Sequence, residues 1–226
     1  MNILIVNDDG IGSSNLLPLK KTLEKYGRVY ICVPDGERSG NSHSTKKYEV
    51  VTENFKKSDK GEDIYVHTGT ACDSVKFFLK FVRRDVDMVV SGINQGFNLG
   101  ADIVYSGTVG AALEANMHKI KSVALSARKN GSHYWAGLSE LFEFLFNKLD
   151  WHNAMCLNVN FPDGYPPYNY KFVPIAQERN PSSGENDFNF CRNKSFLTIS
   201  PVSLNMTDFE SLRGLSDQYS GSLIKV

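Results

Sequence analysis

The sequence predicts an α/β fold built on a doubly wound, mostly parallel sheet, and three observations carry that prediction. Short, mostly apolar runs recur at Ile3–Val6, Val29–Val33, Met88–Val90, Val123–Leu125 and Met155–Val159. Runs of this kind suit strands covered on both faces, as in a parallel sheet. Segments with helical apolar spacing lie between them, so strand and helix alternate up to about residue 160. That alternation requires crossover connections and therefore parallel pairing. After Phe161 the rhythm changes. The expected architecture is a Rossmann-like core over 1–162 with a C-terminal β-rich appendage over 163–226, one structural domain overall.

The first strand ends at Asn7-Asp8-Asp9-Gly10, a dense turn signal. Ser13, Ser14 or Asn15 suits the cap of a helix whose apolar face is Leu16, Leu19, Leu23 and Tyr26, with Pro18 in the first turn and Gly27 as the stop. Pro34 ends the second strand, and the polar segment DGERSGNSHSTKK reads as a long loop, a feature that in compact domains is often functional. Residues 48–67 have room for two short strands around KKSDKGED. Asp73–Val82 reads as a helix with Val75, Phe78, Leu79 and Val82 on one face. A glycine-punctuated loop follows Ser91-Gly92, and a helix begins near Thr108 with Val109, Ala112, Leu113 and Met117 as its inner stripe. Tyr134–Leu149 has the clearest helical spacing, at Trp135, Leu138, Leu141, Phe142, Leu145 and Leu149. In the appendage, 171–176 and 196–204 read as strands and QERNPSSGENDFNF as irregular.

Lys plus Arg and Asp plus Glu number 25 each, and a net charge of zero argues against a surface for duplex nucleic acid. The four cysteines, Cys32, Cys72, Cys156 and Cys191, form no C-x-x-C pair and fit reduced thiols in a cytoplasmic protein. No basic stretch precedes the first apolar run, so it is not a signal peptide, and no run is long enough for a membrane helix.

Ligands of open α/β sheets bind beyond the carboxyl ends of the strands. Three polar segments should meet there: 7–15, 35–45 and 91–108. Adjacent Asp8 and Asp9 at a strand end repel each other unless a cation lies between them; the plainer alternative is a turn in which one Asp caps a helix. Ser39, in Arg38-Ser39-Gly40, offers a neutral oxygen, or merely belongs to a Ser/Gly loop. Asn94 offers an amide oxygen, or sits in a loop that needs positive φ. Taken together these are oxygen donors, which suit Mg²⁺, Mn²⁺ or Ca²⁺ rather than Zn²⁺. The histidines at 43, 67, 118, 133 and 152 have no zinc spacing; His43 stands out because it shares the Ser39 loop. Glycines 92, 96 and 100 do not form a dinucleotide fingerprint. Tyr105-Ser106-Gly107-Thr108 opens a helix whose free N–H groups and dipole favour an anion, unless it is an ordinary cap.

The segments NDDG, ERSGNSHS, VVSGINQGFNLG, DIVYSGTVGAALE and LNVNFP, in this order, resemble the SurE family of survival proteins, which are 5′/3′-nucleotidases. The resemblance spans residues 1 to about 162. It implies that Asp8, Asp9, Ser39 and Asn94 hold one divalent metal ion, with Asp8 and Asp9 also catalytic. It implies further that Gly40, Asn98, Ser106, Gly107 and Thr108 line the site for phosphate. The expected activity is hydrolysis of nucleoside 5′- or 3′-monophosphates, or another small phosphate ester, by a metal-activated water. The resemblance also implies a homodimer or homotetramer joined through the C-terminal region. Alternatives are a non-catalytic nucleotide or phosphate sensor and an exopolyphosphatase acting on short polyphosphate. A signalling receiver domain needs an Asp ending its third strand, where this chain has Val90-Ser91-Gly92.

Overall fold

Ile3, Leu4, Ile5 and Val6 are fully buried, and their alternation divides the interior into two layers. In the computed structural model, which describes residues 1–46, 56–57, 63–128, 134–151, 155–164, 169–177, 181 and 183–205, they form strand β1 (Asn2–Val6). Ile3 and Ile5 pack with Leu16, Leu19 and Leu23 of helix α1 (Leu16–Leu23) and with Leu138, Leu141, Phe142 and Leu145 of helix α4 (Tyr134–Asn147). Leu4 and Val6 face the other way, onto Val75, Phe78 and Leu79 of helix α2 (Ala71–Phe81) and Ala111 and Ala115 of helix α3 (Gly107–Met117). A strand buried on both faces explains why its sequence is a continuous apolar run.

The remaining strands are β2 (Arg28–Pro34), β3 (Lys56–Lys57), β4 (Ile64–His67), β5 (Met88–Gln95), β6 (Lys121–Ala127), β7 (Cys156–Asn160), β8 (Tyr170–Phe172) and β9 (Leu197–Val202). They form one sheet in the order β3-β4-β2-β1-β5-β6-β7-β9-β8. The six from β4 to β7 pair in parallel throughout. Strand order reverses between β1 and β5, and that switch point is where open α/β sheets bind ligands. β3 joins antiparallel to β4, and β9 antiparallel to β7 with β8 parallel beside it. The expected appendage therefore contributes edge strands to the same sheet.

Several boundaries depart from expectation for identifiable reasons. Helix α2 starts two residues earlier than its periodicity indicates, because Thr70 and Asp73 form a reciprocal capping box. Asn15 precedes α1 without capping it; its side chain instead donates to Ile93 O at 3.1 Å and accepts from the Tyr134 hydroxyl at 3.1 Å. α1 stops at Leu23, and Tyr26 stacks on Phe146 with ring centroids 4.4 Å apart. Met117 is exposed rather than part of an inner stripe. α3 is built of small residues and is buried almost all round, so no single stripe defines it. β5 runs on to Gln95 through a register shift between Ser91 and Asn94, which puts Asn94 at a strand end. Gly92 permits this: its φ is +127°, and a Cβ there would lie 2.4 Å from Leu125 O. All four cysteines are buried and free. Among the described residues no helix is long and apolar enough to cross a membrane. His133, His152, most of the span proposed for two strands at 48–67, and 206–226 of the appendage lie outside the described residues.

Candidate active site

The turn after β1 is closed by Asn7, whose side-chain oxygen accepts the Gly10 N–H at 3.0 Å and whose amide donates back to Gly10 O at 3.3 Å. Asp8 and Asp9 lie at its tip. Gly10, at φ +81°, touches the turn after β2: a Cβ on it would lie 2.6 Å from the Gly36 carbonyl. Ile11 N–H bonds to Pro34 O at 2.9 Å, and Arg38 N–H to Asp8 O at 2.6 Å. The two turns are thus fastened backbone to backbone, with no side chain between them.

This contact opens a cleft of about 320 Å³, the lower end of the range for small-ligand sites, lined by Asp9, Glu37, Ser39 and Asn94 with Ser13 and Ser14 at its wall. Asp9 comes from the β1 turn, Glu37 and Ser39 from the β2 loop, and Asn94 from the end of β5. Ser39 Oγ donates to Glu37 Oε1 at 3.1 Å. Asn94 donates its amide nitrogen to Gly96 O at 3.0 Å, which leaves its amide oxygen as the atom to offer a cation. Gly40, at φ +72°, has nothing within 4 Å of where a Cβ would sit.

Asp8 is only 4% exposed and turns towards the start of α3. Thr108 Oγ1 donates to Asp8 Oδ1 at 2.7 Å. A Cβ on Gly107 would lie 2.9 Å from Asp8 Oδ2, so glycine is what lets the carboxylate approach the helix. Ser106 is the N-cap, its Oγ accepting from Val109 N–H at 3.1 Å. Burial pushes the Asp8 carboxyl above the ordinary range and the Glu37 charge adds to this, while Thr108 and backbone N–H groups pull it back. The helix start does cradle an anion, as its donors and dipole dictate. In this structure that anion is the Asp8 carboxylate.

Asn98 stands apart, 6% exposed and behind the cleft. Its N–H bonds to Asn160 Oδ1 at 2.8 Å and its amide to Ser126 Oγ at 2.7 Å. Its carbonyl accepts from Asn158 at 2.8 Å and Asn160 at 3.0 Å. Two residues on, Gly100 N–H bonds to Asp187 Oδ2 at 2.9 Å; Oδ1 of that buried carboxylate takes Ala176 N–H at 2.9 Å and Phe188 N–H at 2.8 Å.

The structure therefore brings Asp9, Ser39 and Asn94 to one cleft, with Asp8 beside them in the same turn as Asp9. Gly107 and Thr108 meet Asp8 while Ser106 caps the same helix, and Asn98 is held by Asn158, Asn160 and Ser126. Sequence reasoning did not single out Glu37, Asn158, Asn160 or Asp187. Glu37 had a signal, a carboxylate two residues before the candidate serine; Asp187 had none, because its partner is 87 residues away. Among the described residues no three His, Cys, Asp or Glu side chains group as a metal site. The candidate set draws half its donors from Ser and Asn.

The family model for Survival protein SurE matches residues 3–182, four-fifths of the chain and every candidate residue. The chain belongs to the SurE family. It is 34% identical over 244 residues to a protein named 5′-nucleotidase SurE from Clostridium botulinum (strain 657 / Type Ba4), covering 94% of this chain and 96% of that one. A relative of the same name from Pseudothermotoga lettingae is 39% identical over 171 residues, 73% of this chain and 65% of its own. Among solved structures, the Sure protein from Aquifex aeolicus superposes with a TM-score of 0.84 at 25% identity, covering 96% of this chain and 99% of that one. Asp187 lies just past the span of the SurE model, so the Gly100 contact joins the matched region to chain beyond it.

Proposed function

We propose that this chain is a divalent-metal-dependent phosphomonoesterase that hydrolyses nucleoside 5′- or 3′-monophosphates to nucleoside and phosphate. The observation that carries this reading is the meeting of Asp9, Ser39 and Asn94 in one cleft at the switch point, beside the buried Asp8. The relatives named 5′-nucleotidase support a nucleotide as the ester. Two carboxylates, a hydroxyl and an amide oxygen fit a hard cation, and Asp8, Asp9, Ser39 and Asn94 would hold one Mg²⁺ or Mn²⁺. Bound there, the ion supplies positive charge to phosphoryl oxygens and a water of lowered pKa.

The chain's own residues supply the rest. Asp9, the less buried of the pair, orients the attacking water and accepts its proton. Asp8 is fixed by the Thr108 hydroxyl and keeps its place at the positive end of α3. Ser106 and Gly107 act through Asp8, one by capping the helix and the other by admitting the carboxylate. The open space at Gly40 leaves room for the ester. Asn98 works from behind, holding the glycine loop that follows Asn94. Water is the nucleophile, so no phosphoenzyme forms. In this reading the enzyme is cytoplasmic and assembles as a homodimer or homotetramer through its C-terminal region.

Phosphate release from 5′-AMP and 3′-AMP tests the proposal. Protein dialysed against EDTA should release none, and Mn²⁺ or Mg²⁺ should restore turnover. Full activity in excess EDTA overturns the metal. Binding of AMP without release under any metal overturns the enzyme in favour of a sensor.

A further inference from the structure

Helix α3 meets the site twice. Its first turn holds Asp8 through Thr108. Its next turn presses on the loop that carries Ser39: a Cβ on Gly110 would lie 2.8 Å from Ser42 O and 3.0 Å from His43 Cα. One turn further along the helix, Glu114 Oε2 lies 2.7 Å from His43 Nε2, a contact between residues 71 apart in sequence. The other oxygen, Oε1, lies 3.3 Å from His118 Nε2. Glu114 is 7% exposed, and a carboxylate that deep requires partners. Burial pushes its carboxyl up, but the His43 hydrogen bond and the charges of His43, His118 and Lys76 bring it below the ordinary range.

The loop has other ties, and they leave a gap. Ser42 bonds through its N–H to Tyr105 O at 3.1 Å and through its hydroxyl to Val104 O at 2.5 Å. Ser44 O accepts from Thr70 Oγ1 at 2.7 Å, and Lys46 N–H bonds to Asp73 Oδ2 at 3.0 Å. These fasten the loop to the segment before α3 and to the start of α2. The His43–Glu114 bond is what ties it to the body of α3, the helix whose first residues fix Asp8.

We propose that His43 and Glu114 are positioning residues whose hydrogen bond sets the place of the Ser39 loop relative to the Asp8 turn. The inference rests on the ligand set proposed above. Small divalent ions demand near-ideal geometry at about 2.1 Å, so a loop shifted by a fraction of an ångström binds them less well. A role confined to folding would lower stability and leave metal affinity alone.

Mn²⁺ titration calorimetry on the EDTA-stripped full chain, with apo melting temperatures in parallel, separates the two. His43→Ala and Glu114→Ala should each weaken Mn²⁺ binding about tenfold, the order of one charge-assisted hydrogen bond. The double variant should be no weaker than either single one, because both remove the same contact. His43→Gln, which restores a donor at the Nε2 position, should recover most of the loss. Affinities within twofold of wild type in folded variants, or losses that multiply in the double variant, overturn the inference. Should Glu114→Ala not fold, His43→Ala and His43→Gln, on a partly exposed side chain, decide the matter. Wild-type protein that takes up no Mn²⁺ overturns the ligand set itself and this inference with it; unchanged variants beside a binding wild type overturn this inference alone.

Discussion

Two polar clusters sit side by side at the carboxyl edge of the sheet, and they are built in opposite ways. Around Asn98, the side chains of Asn158, Asn160 and Ser126 exchange hydrogen bonds with one another's segments in full burial. Around Asp9, the groups face a cleft, and two of the side chains on it, Asp9 and Glu37, are carboxylates with Asp8 close behind. The first arrangement pairs its amide donors with acceptors inside the fold, as buried polar groups generally must, although Asn158 Oδ1 is left without a partner. The second gathers like charges, which raises the free energy of the protein until a cation enters. In the proposed reading the first is scaffold and the second is site, and substitutions in the two should then separate stability from activity.

The largest effect belongs to the cleft. Asp9→Asn keeps the shape and removes one charge, so kcat for AMP at saturating Mn²⁺ should fall by about 100-fold or more, roughly 3 kcal/mol of barrier, in a protein that melts no earlier without metal. A variant with near-wild-type turnover would erase the contrast between the clusters.

The next concerns a buried histidine that belongs to the scaffold alone. His67 accepts from Gly69 N–H at 3.0 Å through Nδ1 and meets Ser74 Oγ at 2.8 Å through Nε2, and burial lowers its pKa to about 4. The folded value lies below the unfolded one of about 6.5, so the unfolded chain binds the proton first. Stability should hold above pH 6.5, decline as pH falls towards 4, and then level off, with up to roughly 3 kcal/mol lost. Urea unfolding across this range, repeated on His67→Gln, checks it: the variant should lack this component of the slope.

A smaller loss is expected for Asn160→Ala, which strips one donor and one acceptor from Asn98. Stability should drop by about 2–3 kcal/mol, while kcat per folded molecule stays within a few-fold. A fall in kcat as large as that for Asp9→Asn would move Asn98 from scaffold to site. Smallest of all, Ser39→Ala removes a neutral oxygen that donates to Glu37 on an exposed loop; Mn²⁺ affinity should fall by about tenfold or less and the apo melting temperature by under about 1 °C.

Much of this was legible in the sequence because the signals are local. The buried strands announce themselves as apolar runs, and the turn NDDG follows the first directly. Ser39 and Asn94 come next to strand ends, so the rule that ligands bind beyond carboxyl ends was enough to bring three segments together. What was not legible depends on distant partners. A helix start that favours anions does not say what else it meets, and here the Thr108 hydroxyl also donates to Asp8, 100 residues away. The resemblance implies Asn98 at the phosphate site, but the sequence does not show that its partners Asn158 and Asn160 arrive from a strand about 60 residues later. Met117 lies outside the expected inner stripe because α3, whose first two turns are Gly, Thr, Val and Ala, is covered on nearly every side there and has no stripe to read.

The account rests on Asp8 and Asp9 sharing one cation, and thermal unfolding with and without Mn²⁺ tests that most directly. In EDTA, Asp8→Asn and Asp9→Asn should melt at or above the wild-type temperature, since each relieves the repulsion between neighbouring carboxylates. Mn²⁺ at a hundredfold excess over its Kd should stabilise the wild type by about 2.7 kcal/mol, roughly 5–10 °C for a chain of this size. Both variants should lose most of that shift. An intact shift in both, or melting well below wild type in EDTA, would contradict the assignment and return the pair to the role of a structural turn.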